Sequence, residues 1–238
     1  MRTVAFLAVI ALFLAGCTAR TEVDVPVETP AKPRPLRVVL LYDVSGSTQF
    51  HNINELKEDD IRELLDVVSQ QGGELAFGTI PMPQNVGLVT ASFPSPPSPP
   101  ANAVNLFRRM QEAGLYRTAL SQWREEQAQI ANKFLADIRP LIRRRDAKGT
   151  PLFRGLRMAN LFLGEPGHEG VGYVILVSDG YDTTGDPPIK AMPQGVELLL
   201  VNGDGSLGTI SHLRPIQFAT IRNALMYIRR SLEGGSHR

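Results

Sequence analysis

One cysteine and four histidines are all the thiol and imidazole groups that this 238-residue chain has. The lone thiol of Cys17 can form no disulfide within the chain, so the fold must rest on its core. His51, His168, His212 and His237 show no ligand spacing, which argues against a zinc or copper centre built on imidazole and thiolate. An excess of charge of one sign is also missing. The 25 basic and 24 acidic residues leave no bulk positive field of the kind nucleic-acid binding needs. The local run Arg143-Arg144-Arg145 reads first as a solvated helix end. Long hydrophobic runs are absent except near the start, where Val4 to Ala15 is apolar but short for a membrane span.

That early run follows Arg2 and ends in Leu14-Ala15-Gly16-Cys17, which resembles the lipobox of bacterial lipoproteins. The resemblance implies a signal peptide over 1–16 and acylation of Cys17 as the first residue of the mature chain. The domain would then be anchored to a membrane of a bacterial cell envelope, outside the cytoplasm; stable anchoring takes two or more acyl chains. Residues 17–35 are rich in proline and charge and poor in large apolar groups, so they read as an extended tether.

With 43% hydrophobic residues, the remainder is long enough for one well-buried domain over 36–232, followed by a short tail at 233–238. Val38-Val39-Leu40-Leu41 is β-branched and aliphatic without alternation and predicts a strand buried on both faces, with Asp43 at its carboxyl end. Ile61, Leu64, Leu65 and Val68 form the apolar stripe of a helix that stops at Gly72-Gly73. "ELAFGTI" and "VGLVTASF" predict two strands joined as a hairpin at one side of the sheet. "PSPPSPP" (94–100) predicts a stiff surface loop. It opens a Pro-rich and helical insertion over 94–145, whose helix is expected to break at Gly114 and Pro140, with Trp123 and its apolar neighbours as core. A helix over 150–164 starts at Thr150-Pro151, and "YVILVSDG" and "VELLLVNG" predict two further buried strands before a last helix. Strands alternating with helices imply a doubly wound, mostly parallel α/β sheet with helices on both faces.

Three separated pieces bear oxygen and fall where such a sheet brings strand ends together. Asp43, Ser45 and Ser47 follow the first strand, Thr150 opens a later helix, and Asp179 follows another buried strand. Two carboxylates and three hydroxyls make a hard, oxygen-only set that suits Mg²⁺, Ca²⁺ or Mn²⁺. Each piece also has a plainer reading: either serine could cap the next helix, Thr150 could be only an N-cap, and Asp179-Gly180 only a turn. Thr118 is the rival to Thr150, but it lies inside a helical pattern without a Gly-Thr-Pro start.

Asp43-x-Ser45-x-Ser47, the threonine of "GTPL" and the aspartate of "SDG", in that order, resemble the metal-ion-dependent adhesion site of von Willebrand factor type A (vWA) domains. The resemblance implies a Rossmann-like fold with one antiparallel edge strand and a divalent cation, Mg²⁺ first with Mn²⁺ and Ca²⁺ as alternatives. Asp43, Ser45, Ser47, Thr150 and Asp179 would be its ligands. It further implies recognition of a protein partner, often through an acidic side chain that completes the coordination, by a binding module and not an enzyme. Two alternatives stand beside it. An envelope lipoprotein could dock through its inserted helices. A Mg²⁺-dependent phosphatase of the haloacid dehalogenase type would use Asp43 as nucleophile, but such enzymes want a second aspartate where this chain has Ser45.

Overall fold

The computed structural model describes residues 35–46, 55–83, 87–100, 106–143, 149–164, 170–202 and 205–234, without the side chains of Leu106 and Phe107. The leader, Cys17, all of the tether but Pro35, Ser47, His51, His168, His237 and Arg144-Arg145 lie outside the described residues.

Six strands form one sheet in the order β3-β2-β1-β4-β5-β6: β1 (Leu36–Asp43), β2 (Gly73–Ile80), β3 (Val89–Phe93), β4 (Val171–Val177), β5 (Val196–Val201) and β6 (Ile216–Phe218). All neighbours are parallel except β2 and β3, so the antiparallel strand is an edge, as the hairpin pattern predicted. The order reverses between β1 and β4, the switch point at which open α/β sheets present ligand crevices beyond their strand ends. β1 is central and every one of its eight residues is buried, which is why it shows no polar alternation.

Helices cover both faces. On one lie α1 (Glu58–Gln71), α2 (Leu106–Ile142) and α4 (Ile221–Gly234), with Leu64, Phe134, Ile138 and Leu225 packed on Leu40, Phe77 and Ile175. On the other lie α3 (Leu152–Leu163) and a 3₁₀ turn (Gly208–Leu213), with Leu152, Leu156 and Ile210 packed on Leu41, Val174 and Leu200. Asp60 accepts the Lys57 N–H at 3.0 Å and closes the start of α1, and Glu58 in the same turn takes two hydrogen bonds from Arg139 of α2.

α2 departs from expectation, because it runs unbroken through Gly114 and Pro140. Pro140 stands two residues from the end at Ile142, so the missing amide and the ring clash disturb only the end of the helix. A single glycine costs a helix about 1 kcal/mol, which packing elsewhere along its length offsets. Its C-terminal half carries Phe134, Leu135 and Ile138 into the core. At 1.5 Å per residue the helix is about 55 Å long against about 26 Å for an eight-residue strand, so its first half overruns the sheet and exposes Met110 and Leu115. Trp123, expected in the core, is only half-buried: its indole N–H donates to the Pro94 carbonyl at 2.9 Å, as does the Gln127 amide, and together they pin the proline loop.

The orientation of α3 sets up the site. Arg37, buried near the start of β1, donates to the carbonyls of Phe162 and Leu163 at the end of α3, packs over the Phe162 ring and pairs with Glu74 at 2.7 Å. Held by its C-terminus at the amino end of β1, the helix runs antiparallel to the strand. Twelve residues reach about 18 Å, so its N-terminus arrives over the carboxyl ends of β1 and β2, where Gly155 lies against Ile80 and Leu41.

Candidate metal centre

Asp43, Ser45, Thr150 and Asp179 are each 2% exposed or less. Asp43 ends β1, and Asp179 stands two residues beyond β4 on the adjacent strand, near enough for its charge to act on Asp43. Thr150 joins them through the loop after Asp179: its N–H donates to the Thr183 hydroxyl at 2.6 Å, and the Thr183 N–H donates back to the Thr150 carbonyl at 3.1 Å. Four of the five residues singled out in sequence therefore meet at one end of the sheet, while Ser47 lies outside the described residues. Thr118 does not join them, since its exposed hydroxyl turns back onto the Gly114 carbonyl within α2.

The Asp43 carboxylate is held from several directions. One oxygen accepts the Ser45 N–H at 2.9 Å and the other accepts the Ser178 hydroxyl at 2.8 Å, with the Ser45 hydroxyl adding a further hydrogen bond. Burial nevertheless lifts its pKa above the ordinary carboxylate value, and the Asp179 charge pushes in the same direction; the serine hydrogen bonds only partly offset them. Among the described residues no basic side chain pairs with either aspartate. Two carboxylates are thus buried side by side with no positive charge from the described residues to balance them, a costly arrangement unless a cation supplies it.

The plainer readings fare unequally. Thr150 is not the N-cap of α3; Pro151 occupies that position, and no side chain of the cap residue bonds the helix. The Phe153 N–H that a cap would satisfy goes instead to the Asp182 carboxylate at 3.1 Å. Thr150 is itself buried, and its hydroxyl is not spent on capping the helix. Asp179 does form a turn, accepting the Tyr181 N–H at 3.0 Å on one of its carboxylate oxygens. Gly180 has φ +80°, and a Cβ on Gly208 would meet the Gly180 carbonyl oxygen at 2.2 Å. That close approach lets the Thr209 N–H bond the same carbonyl at 2.8 Å and fixes the loop under Asp179.

Sequence reasoning missed the supporting residues. Ser178 couples β4 to Asp43 and accepts the Gly180 N–H at 3.1 Å. Asp182, besides holding the Phe153 N–H, accepts the N–H groups of Thr184 and Gly185 and so builds the loop that braces Thr150. The Asp-x-Thr-Gly pattern of an Asx turn was the available signal. Asp186 pairs with Arg157 at 3.5 Å. The donor set fits a hard divalent cation: two carboxylates and hydroxyl oxygens, with no cluster of three or more His, Cys, Asp or Glu among the described residues.

No protein-family model matches the chain, and no curated protein matches it. Solved structures that match include proximal thread matrix protein 1 from the mussel byssus with a zinc-occupied MIDAS motif, at 17% identity and a TM-score of 0.43 over 84% of this chain. A second crystal form of that protein gives 18% identity and a TM-score of 0.44. This chain spans 47% of that protein's length.

Proposed function

We propose that the chain is a vWA-type binding module, not an enzyme, that holds a divalent cation on Asp43, Ser45, Thr150 and Asp179, with Ser47 as the fifth ligand. The observation that carries this reading is the pair of buried carboxylates, Asp43 and Asp179, which have no basic partner among the described residues and stand at the same end of the sheet as the buried Thr150. The expected ion is Mg²⁺, and a cation held by so few charges stays electrophilic enough to accept a further carboxylate from a protein partner. Against a phosphatase stands the state of Asp43: both oxygens already accept hydrogen bonds, and Ser45 binds it where an acid/base would be needed. Acylation of Cys17 would tether the module to a bacterial envelope membrane. Among the described residues no helix is long and apolar enough to cross one.

Mn²⁺ binding followed by electron paramagnetic resonance tests the site, with Mg²⁺, Ca²⁺ and Zn²⁺ as competitors. One ion per chain, displaced by Mg²⁺ and lost in Asp43→Ala and Thr150→Val, is the expected result. Binding that survives both substitutions would place the cation elsewhere. Labelling of the chain by palmitate in a bacterial host, abolished by Cys17→Ser, is the corresponding result for the anchor; unlabelled wild-type chain would remove it.

A further inference from the structure

The crossover from β4 to β5 spans residues 178–195 without a helix, although parallel neighbours are usually joined by one. An extended strap takes its place. Arg157 of α3 donates to the Pro187 carbonyl at 2.6 Å, Asn160 to that of Ala191 at 3.2 Å, and the His212 ring bonds that of Ile189 at 2.9 Å. Ile189 is buried under the strap. Where a crossover helix would have covered the surface, a groove of about 530 Å³ is left between the start of α3, the strap and the 3₁₀ turn, lined by Phe153, Pro188, Ile189, Lys190, Thr209 and His212.

Two features of this groove concern the metal rim. It shares its wall with the rim: the Phe153 N–H is held by Asp182, and the Thr209 hydroxyl accepts the Asp182 N–H at 3.0 Å while donating to the Gly180 carbonyl at 3.1 Å. Its charge is also one-sided. No carboxylate lines it, the nearby Asp186 is paired with Arg157 and Asp182 is spent on backbone N–H groups, while the exposed Lys190 ammonium has no ion pair among the described residues. Phe153, Pro188, Ile189 and the His212 ring supply an apolar floor of the size that binds side chains.

The geometry points to this groove as a second contact for an acidic segment of a protein partner. One carboxylate of the segment reaches the cation, an apolar side chain of the same segment enters the groove, and Lys190 attracts a further acidic group. This inference rests on the metal-dependent reading above and adds to it the side-chain pattern of the partner.

A random peptide library displayed on phage, panned on the Mg²⁺-loaded protein and on the chelated protein, tests it. The expected selection is peptides that need Mg²⁺ and pair Asp or Glu with a large apolar residue at a fixed offset. Affinity of a selected peptide should fall about threefold to fivefold in Lys190→Glu and roughly tenfold or more in Pro188→Trp, which covers the apolar floor. Lys133→Glu on α2 is the charge control and should change nothing. Mg²⁺-dependent acidic peptides that bind Lys190→Glu and Pro188→Trp as well as wild type overturn the groove and leave the metal reading standing. Peptides indifferent to chelation and to Asp43→Ala, or no enrichment over the chelated control, overturn both.

Discussion

Replacing Asp43 by asparagine separates the role of its charge from the role of its shape. In the wild type, one carboxylate oxygen accepts the Ser45 N–H at 2.9 Å and the other the Ser178 hydroxyl at 2.8 Å. The asparagine oxygen keeps the first bond. Its amide nitrogen faces Ser178, whose hydroxyl can turn and accept, because it has two lone pairs and gives only one to Gly180. Exchanging charge-assisted bonds for neutral ones costs about 1 kcal/mol, and removing a charge that burial and Asp179 both disfavour acts in the opposite direction. The metal-free variant should therefore melt within a few degrees of wild type. With Mg²⁺ at a hundred times its dissociation constant, the wild type gains about 2.7 kcal/mol, and at roughly 2–4 °C per kcal/mol for a domain of this size the rise is roughly 5–10 °C. Asp43→Asn should show none of it. The assay is thermal unfolding by circular dichroism, in chelator and then in Mg²⁺. A metal-free variant that melts more than about 10 °C below wild type would mean the carboxylate is a structural anchor. A variant that keeps the Mg²⁺ rise would mean the ion sits elsewhere.

Asp182→Ala should lower metal-free stability by about 1–2 kcal/mol through loss of the α3 cap, and should also weaken Mn²⁺ binding because Thr150 loses its brace; denaturant unfolding and resonance titration read the two effects separately. Ile138→Ala should cost about 2–5 kcal/mol, whereas Leu115→Ala, 67% exposed on the same helix, should stay within about 0.5 kcal/mol. Equal small effects would make all of α2 an appendage. Arg139 and Arg62 hold the Glu58 carboxyl down at about 2 against an ordinary 4.5. Because the folded value is the lower one, this contribution is complete above pH 4.5 and is lost as pH falls towards 2. Arg139→Ala should flatten that part of the acid limb in a pH series of melts, and added salt should do the same to the wild type, since the pair is exposed.

The sheet was legible because its inner strands are forced to be. β1 and the later parts of β4 and β5 are buried on both faces, so they appear as the aliphatic cores Val38–Leu41, Val174–Val177 and Leu198–Val201, and Asp43 and Asp179 stand out as the first acidic residues after two of those cores. β6 was not legible: three residues, with Ile216 and Gln217 exposed, carry no pattern. The continuity of α2 was hidden by a glycine and a proline, residues whose local preference yields when the helix is anchored by Phe134 and Ile138 and the proline falls in the last turn. Thr150 was found through its Gly-Thr-Pro context, yet its position depends on Asp182 and Thr183, some thirty residues on, and local sequence cannot show that pairing. Ser178 was passed over because serine at a strand end has too many ordinary uses.

The groove and the metal rim follow from one economy in the chain. Where a helix after β4 would bury the face beside α3, this protein spends the same residues on a turn that holds Asp179 and Thr150 and on a strap that leaves the start of α3 uncovered. Asp182 belongs to both, since it closes the helix that carries Phe153 into the groove and builds the loop that braces Thr150. A change in that loop should therefore alter cation affinity and groove shape together. The outer groove residues Pro188 and Lys190 can vary without touching a ligand of the ion. Partner preference should accordingly be adjustable at 188 and 190 with cation affinity unchanged, and a Lys190→Glu protein that binds Mn²⁺ as the wild type does while losing its acidic peptides would show the two functions to be separable on one scaffold.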